Sequence, residues 1–524
     1  MKKNSYIPLI VAVSIVVGMA IGFFILGKQN QNTASSYSKN AKINYVLELI
    51  NKEYVDKTDK DSLTDEAIRA LLTELDPHSV YMTAEEVKRE NDALKGNFDG
   101  IGVQFRIVDD TIAVVRTING GPSEKVGILA GDRIVKVDGR GYKNITNDTV
   151  FHLLKGKRGT KVNLSVKRKG INHLIDYTVT RDVIKTQAVR YAGMLNSNTG
   201  YIKLDEFTAT SHEEVANALR SLKKQGMSQL IFDLRDNGGG YLDQAIAIAD
   251  EFIPKGDLIV YTDGRFRGRN DAYATSGGLF EEGKLIVMIN EMSASASEIV
   301  SGCIQDNDRG KIIGRRTFGK GLVQEQRTLP DNSAIRLTVA RYYTPSGRCI
   351  QRPYIKGDPD KYFEDFVLRF ANAENDSDTV THDEKLKYKT KEGRTVHGGG
   401  GIEPDITIPY SVLKRSAYFN SLFKNGLIYK YCFDYVDNNR SFFKQYTDGE
   451  DFLNRYEVEN NNYNSLLAFA AKNGVEVKKL SAKEGEEIKK LMKGYIAQSL
   501  YDDEYFYKLY ITIDTELQMT TANF

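Results

Sequence analysis

Residues Asn290 to Gln326 read NEMSASASEIVSGCIQDNDRGKIIGRRTFGKGLVQEQ, which sets small hydroxyl residues, a helix-like segment and a lysine between glycines in one run. The apolar stretch Lys284 to Asn290 just upstream reads as a buried strand. It delivers Ser293-Ala294-Ser295-Ala296-Ser297-Glu298 to its carboxyl end, where open α/β sheets keep their sites. Small side chains at such a junction leave a backbone amide free beside a hydroxyl, and the helix amides beyond favour a developing oxyanion. Lys320 lies in Thr317-Phe318-Gly319-Lys320-Gly321, where glycines permit a tight bend and an aromatic neighbour can shield the amine from water. Shielding lowers a lysine's pKa, and a neutral amine can then take a proton from a serine hydroxyl. Gln324 follows at one helical turn's spacing, and its amide could orient the lysine. Taken alone, the same residues also fit a plainer reading: a Ser/Ala run is a common helix N-cap and packing face, and Gly-Lys-Gly a common loop. Glu298, three residues beyond Ser295, reads as a capping-box partner rather than a catalytic acid.

Further upstream, strands alternate with helices. Tyr201 to Leu204 and Gln229 to Leu234 read as strands, and Glu213 to Lys224 and Leu242 to Phe252 as helices. Asp236-Asn237-Gly238-Gly239-Gly240 breaks the second strand and exposes amides suited to a phosphate or an oxyanion. No Lys-Ser/Thr pair follows these glycines, which argues against a P-loop. Lys311 to Gly314 reads as a short strand leading to Lys320, and Ser333 to Tyr343, alternately apolar and polar, is expected to close the sheet. Periodicity by itself says α/β.

The segment Lys284 to Gln326 resembles the signature of the carboxyl-terminal processing, or tail-specific, proteases. In that family the middle serine of SASASE is the nucleophile, the lysine of TFGKG the base, and a glutamine four residues on its support. Those positions are Ser295, Lys320 and Gln324, 25 and then 4 residues apart, which is the family's spacing. The resemblance implies a crotonase-like (ClpP/crotonase-type) spiral of βαβ units. It also implies oxyanion donors at the Gly239 and Ala296 amides, and Ser-Lys chemistry that needs no metal or organic cofactor. Asp76-Pro77-His78-Ser79 resembles the family's LDPHS, Gly347 to Gln351 its GRxIQ and Gly401 to Asp405 its GIxPD. His78 reads as structural. His152, His173, His212, His382 and His397 fall in no motif of the family, so a Ser-His-Asp mechanism is the weaker reading.

From Lys95 to Asp182 the pattern changes to short strands with glycine turns. Gly100-Ile101-Gly102-Val103, Ile112 to Val115, Gly127 to Ile134 and Val137-Asp138-Gly139 resemble a PDZ domain. In that fold the Gly-Ile-Gly-Val amides form a nest for a peptide carboxylate and the ligand adds a strand to the sheet edge, which implies reading of free C-termini. Lys155, Lys157 and Arg158 form a basic turn, either solvated or in contact with the catalytic domain when peptide binds.

With 524 residues and 41% apolar content, the chain is expected to build roughly three or four domains. Basic and acidic residues nearly balance, 72 against 70, and tryptophan is absent, which argues against a nucleic-acid partner. Three cysteines without metal or C-x-x-C spacing indicate no disulfide framework. Ile7 to Leu26, preceded by Lys2 and Lys3, is apolar and long enough to cross a bilayer. It reads as an uncleaved membrane anchor, with a cleaved signal peptide as the alternative. An anchor predicts a single-pass protein of the cell inner membrane, catalytic part on the periplasmic side.

The expected order is an anchor or signal segment over 1–28, a linker and helical region over 29–94, the PDZ domain over 95–182 and a peptidase core over 183–410. A charged insertion near 356–383 reads partly as surface loop, and 411–524 as a helical domain; neither has an assigned role. The expected protein is a membrane-anchored serine endopeptidase that recognises protein C-termini through its PDZ domain and cleaves with a Ser-Lys dyad; homo-oligomers are left open. The alternatives are a catalytically silent PDZ scaffold and a crotonase-type acyl-CoA enzyme. Retention of Ser295, Lys320 and Gln324 argues against the first, and the PDZ-like region and expected anchor against the second.

Overall fold

The computed structural model describes residues 13, 16–18, 41–108, 110–374 and 383–524. The chain divides into two compact units, Met1–Leu75 and Asp76–Phe524.

In the first unit, apolar residues at helical spacing form the helices Ala41–Glu53 and Lys60–Thr73; the Asp59 side chain caps the second by accepting the Asp61 amide at 3.1 Å. The apolar run Ile7 to Leu26 lies outside the described residues apart from Val13 and Val16 to Gly18. Spanning a bilayer takes about 20 apolar residues in a helix. Among the described residues no helix is long and apolar enough to do so, and this overturns the single-pass inner-membrane placement.

In the second unit, the glycine-punctuated region forms a five-stranded antiparallel sheet: Val103–Val108, Thr111–Thr117, Arg133–Val137, Lys161–Lys167 and Ile175–Thr180, in that order. Ile112, Val114, Ile134, Val162, Leu164 and Val166 fill one face, and the helix Asn147–Leu154 closes it with Val150 and Leu154.

The α/β core is a six-stranded sheet in the order Ile406–Thr407, Lys311–Gly314, Lys284–Ile289, Gln229–Asp233, Thr199–Leu204 and Val189–Met194. All neighbours are parallel except the last pair. A parallel sheet needs both faces covered. Leu285, Val287 and Ile289 point to one face, under the helices Ser211–Lys224, Leu242–Asp250 and Ala296–Asp306. Ile286 and Met288 point to the other, where Tyr507, Ile511 and Leu517 of the C-terminal helices cover them.

Ala334–Tyr343 does not close this sheet. It is the centre of a second, five-stranded sheet with Val80–Met82, Leu322–Thr328 and Leu258–Asp263, with Asn270–Tyr273 at the edge. Alternating burial is what half-covered antiparallel strands show, and it carries no information about which sheet a strand joins. Within the charged insertion near 356–383, Pro359–Glu374 is a helix, and residues 375–382, in the part expected to be surface loop, lie outside the described set.

The C-terminal helices build their own core around Phe452, Leu466, Met492 and Ile496 and reach both other parts. Arg116 of the antiparallel sheet pairs with Asp502 and Asp503, at 3.2 and 3.1 Å, and Arg133 with Asp437 at 2.6 Å. Buried Arg235, at the end of a core strand, is shared by Asp233 at 2.6 Å, Asp514 at 2.7 Å and Glu516 at 2.8 Å. The class is therefore α/β, with a mainly β second domain and helical ends.

Candidate active site

Strand Lys284–Ile289 ends at Asn290, whose side chain accepts the Asp236 amide at 2.9 Å and donates to Asp236 Oδ1 at 2.8 Å. That exchange locks the serine run to the glycine-rich turn. The three serines then part company. Ser293 is buried and donates to Leu234 O at 2.8 Å; Ser297 is buried and donates to Asn237 O at 2.9 Å. Ser295 alone of the three is partly exposed, at the cap of the helix Ala296–Asp306. Its backbone, at φ 55° and ψ −111°, lies where L residues rarely sit, a strain typical of functional turns.

Gly239 presses on this cap. A β-carbon added there would lie 2.9 Å from Ser295 Cβ and 3.1 Å from Ala296 N, so only glycine admits so close an approach. The Gly239 amide donates to Asn237 Oδ1 at 2.9 Å, so as an oxyanion donor it must first leave that partner. Ala296 N heads the helix beside Ser295.

Lys320 comes to the same place through one buried carboxylate. Glu298 Oε2 accepts the Ser295 amide at 2.8 Å and the Lys320 amide at 2.9 Å, and its Oε1 accepts the Gly319 amide at 2.7 Å and the Thr317 hydroxyl at 2.5 Å. Thr317 Oγ1 already accepts the Ile402 amide at 2.6 Å, so its proton is free to go to Glu298. Every partner donates, as an ionised carboxylate requires, although burial raises its pKa. The capping contact expected of Glu298 is present and extends to a second loop. From the other side, the buried Tyr342 hydroxyl donates to Lys320 O at 2.7 Å with Ser295 O 3.2 Å away.

The Lys320 amine is pushed down to about 8, by burial first and by the Arg336 charge next, against the opposing pull of Asp76, Glu298 and Glu90. His78 borders the same pocket. Burial and the Lys320 charge lower it to about 4, leaving a neutral imidazole at ordinary pH. Gln324 lies in the strand Leu322–Thr328, not a helical turn from Lys320, and its side-chain amide donates to His78 O. Sequence spacing missed Tyr342 and the company of His78. Both arrive from distant segments, and the LDPHS-like turn was the only local hint.

In the antiparallel domain, Ile101 is buried and Gly102, at φ 71°, turns the chain into the strand Val103–Val108. The Ile101 and Gly102 carbonyls accept from Ser123 and Ile118, while among the described residues no hydrogen bond engages the Ile101 and Gly102 amides. Val103–Val108 is an edge strand, and its Phe105 meets Phe151 of the helix Asn147–Leu154 edge-on at 5.5 Å.

Residues 198–360 match peptidase family S41, residues 100–179 a PDZ domain and residues 24–86 the N-terminal domain of the activating protease CtpB. Residues 418–502 match a family of unknown function. The chain is 38% identical to a carboxy-terminal-processing protease of Bartonella bacilliformis over 63% of its own length and 78% of that protein. It is 36% identical to the carboxy-terminal processing protease CtpA of Bacillus subtilis over 71% of its own length and 81% of that protein. The chain belongs to the carboxy-terminal processing proteases. Among solved structures, the photosystem II D1 C-terminal processing protease is 26% identical and covers 71% of this chain and 88% of its own, at a TM-score of 0.35, too low to rest anything on. As a carboxy-terminal processing protease the chain is a serine-type endopeptidase with a PDZ domain for peptide substrates.

Proposed function

We propose that this protease cleaves with Ser295 as nucleophile and Lys320 as general base, on protein substrates whose free C-terminus docks at Gly100, Ile101, Gly102 and Val103. The observation that carries this reading is the shared clamp: Glu298 takes both amides, at 2.8 and 2.9 Å, while Tyr342 reaches both carbonyls. Two residues 25 apart in sequence are thereby held as one unit. The same reading divides the second unit into a PDZ domain over 95–182, a peptidase core over 183–410 and a helical domain over 411–524.

The bound tail adds a strand to the open edge of Val103–Val108 and its carboxylate takes the Ile101 and Gly102 amides. Ser295 Oγ attacks the scissile carbonyl as neutral Lys320 Nζ takes its proton. The oxyanion is held by the Ala296 amide and by the Gly239 amide once the latter leaves Asn237. The Lys320 ammonium then protonates the leaving amine, and water, deprotonated by the same lysine, frees the acyl chain. Gln324 supports the pocket through the His78 main chain. The test is cleavage of a protein with and without its native C-terminal tail by the parent, Ser295→Ala and Lys320→Ala. Loss of cleavage in both variants supports the dyad, whereas parent-like cleavage by either removes that residue from the mechanism.

A further inference from the structure

The helix Pro359–Glu374 presents Tyr362, Phe366 and Arg369 on one face, at the spacing of successive turns, to the segments around Lys320. Phe363, Val367 and Leu368 face solvent. The Tyr362 ring is 2% exposed; it meets His78 edge-on at 5.2 Å and Phe318 at 6.1 Å, and the Arg352 guanidinium lies 3.7 Å over it. Its hydroxyl is 3.1 Å from His78 Nε2 and 3.4 Å from Gln351 Nε2, and Gln351 Oε1 accepts the Gly321 amide at 2.8 Å. Phe366 packs on Phe318 at 4.8 Å, and Arg369 donates to Thr317 O at 2.8 Å. The loop on either side of Lys320, and the His78 segment that receives Gln324, thus lean on this one helix.

We propose that the helix Pro359–Glu374 seals the lysine pocket against water, with Tyr362 as the positioning residue that sets the basicity of Lys320. This rests on the reading of Lys320 as the base. Asp76 and His78 from the turn before Val80–Met82, Glu90 from Ala84–Leu94, Glu298 from Ala296–Asp306 and Arg336 from Ala334–Tyr343 surround the amine. The three carboxylates favour the ammonium form, so Arg336, and above all the exclusion of water, must outweigh them. An aromatic seal is therefore what the chemistry depends on, and opening it returns the advantage to the carboxylates.

The experiment follows the pH dependence of kcat/KM for Tyr362→Ala, Phe366→Ala and Tyr362→Phe in the full chain. For Tyr362→Ala the acid limb is expected to move up by about one pH unit, which is about a tenfold loss at pH 7, with KM and the alkaline plateau kept. Phe366→Ala moves it less, and Tyr362→Phe, which keeps the ring, leaves it in place. Equal loss at every pH with the parent's midpoint overturns the proposal. A direct NMR titration of Lys320 by 13C-methylation in a Ser295→Ala background needs no catalysis. An upward shift on adding Tyr362→Ala supports the seal, and no shift overturns it. If instead Lys320→Ala cleaves like the parent, the dyad reading fails, while the titration still decides whether the helix governs this amine.

Discussion

The amides of Ser295 and Lys320 donate to the same oxygen, Glu298 Oε2, at 2.8 and 2.9 Å. A helix cap and a loop from another part of the fold are thereby referenced to one buried charge, and the separation of the proposed nucleophile and base depends on it.

Glu298→Gln keeps the shape but turns an acceptor into an amide group facing N–H donors. Breaking hydrogen bonds to a buried charge is expected to cost about 2–4 kcal/mol of stability. Serine labelling by a fluorophosphonate should slow by about a hundredfold, in line with a misplaced nucleophile. Denaturant melts and labelling rates check both, and parent-like labelling would remove the clamp from the mechanism.

The parent's kcat/KM should climb with pH and level above about 8, as Lys320 loses its proton. No second limb is expected near the usual imidazole range, because His78 is held down to about 4. The stability effects share a sign. Lys320 binds its proton less tightly folded than unfolded, so stability rises with pH between about 8 and the ordinary lysine value. His78 adds stability that is full above its ordinary value and is lost as pH falls towards about 4. Rate profiles and melts from pH 4 to 10 test both.

Gly239→Ala would place a methyl 2.9 Å from Ser295 Cβ and 3.1 Å from Ala296 N, in front of the proposed oxyanion donor. At φ 107° the substitution is also strained. Losing one such donor lowers kcat by roughly 10²–10³-fold. Tail peptide should bind the PDZ domain unchanged, which isothermal titration can verify; retained turnover would move the oxyanion site elsewhere.

Leu517→Ala opens a cavity under Ile286, Met288 and Ile313, on the sheet face covered by the C-terminal helices. Such truncations cost about 2–5 kcal/mol. Thermal or urea melts of the full chain give the value, and a neutral result would mean that the C-terminal helices do not support the core.

Several features were legible because they are local. The apolar run of Lys284–Ile289 marks a strand buried on both faces, and the Ser/Ala run after it marks a helix cap. Glycine turns between short alternating strands marked the PDZ domain. The helix Pro359–Glu374 was not legible in the charged insertion, because Asp360, Lys361, Glu364 and Asp365 are interleaved with Tyr362 and Phe366 and mask their helical spacing. The four-residue step from Lys320 to Gln324 suggested a helical turn, but it enters a strand, where the glutamine meets His78.

The sequence by itself determined the α/β class, the PDZ region and the residue types available for acyl transfer, because strand burial, caps and turns are written within a few neighbouring residues. Only the tertiary structure decided that Ala334–Tyr343 joins a second sheet, that the C-terminal helices cover the parallel one, and that Glu298 and Tyr342 hold Ser295 beside Lys320. Those relations join residues far apart in the chain through packing and buried hydrogen bonds, which no local pattern encodes.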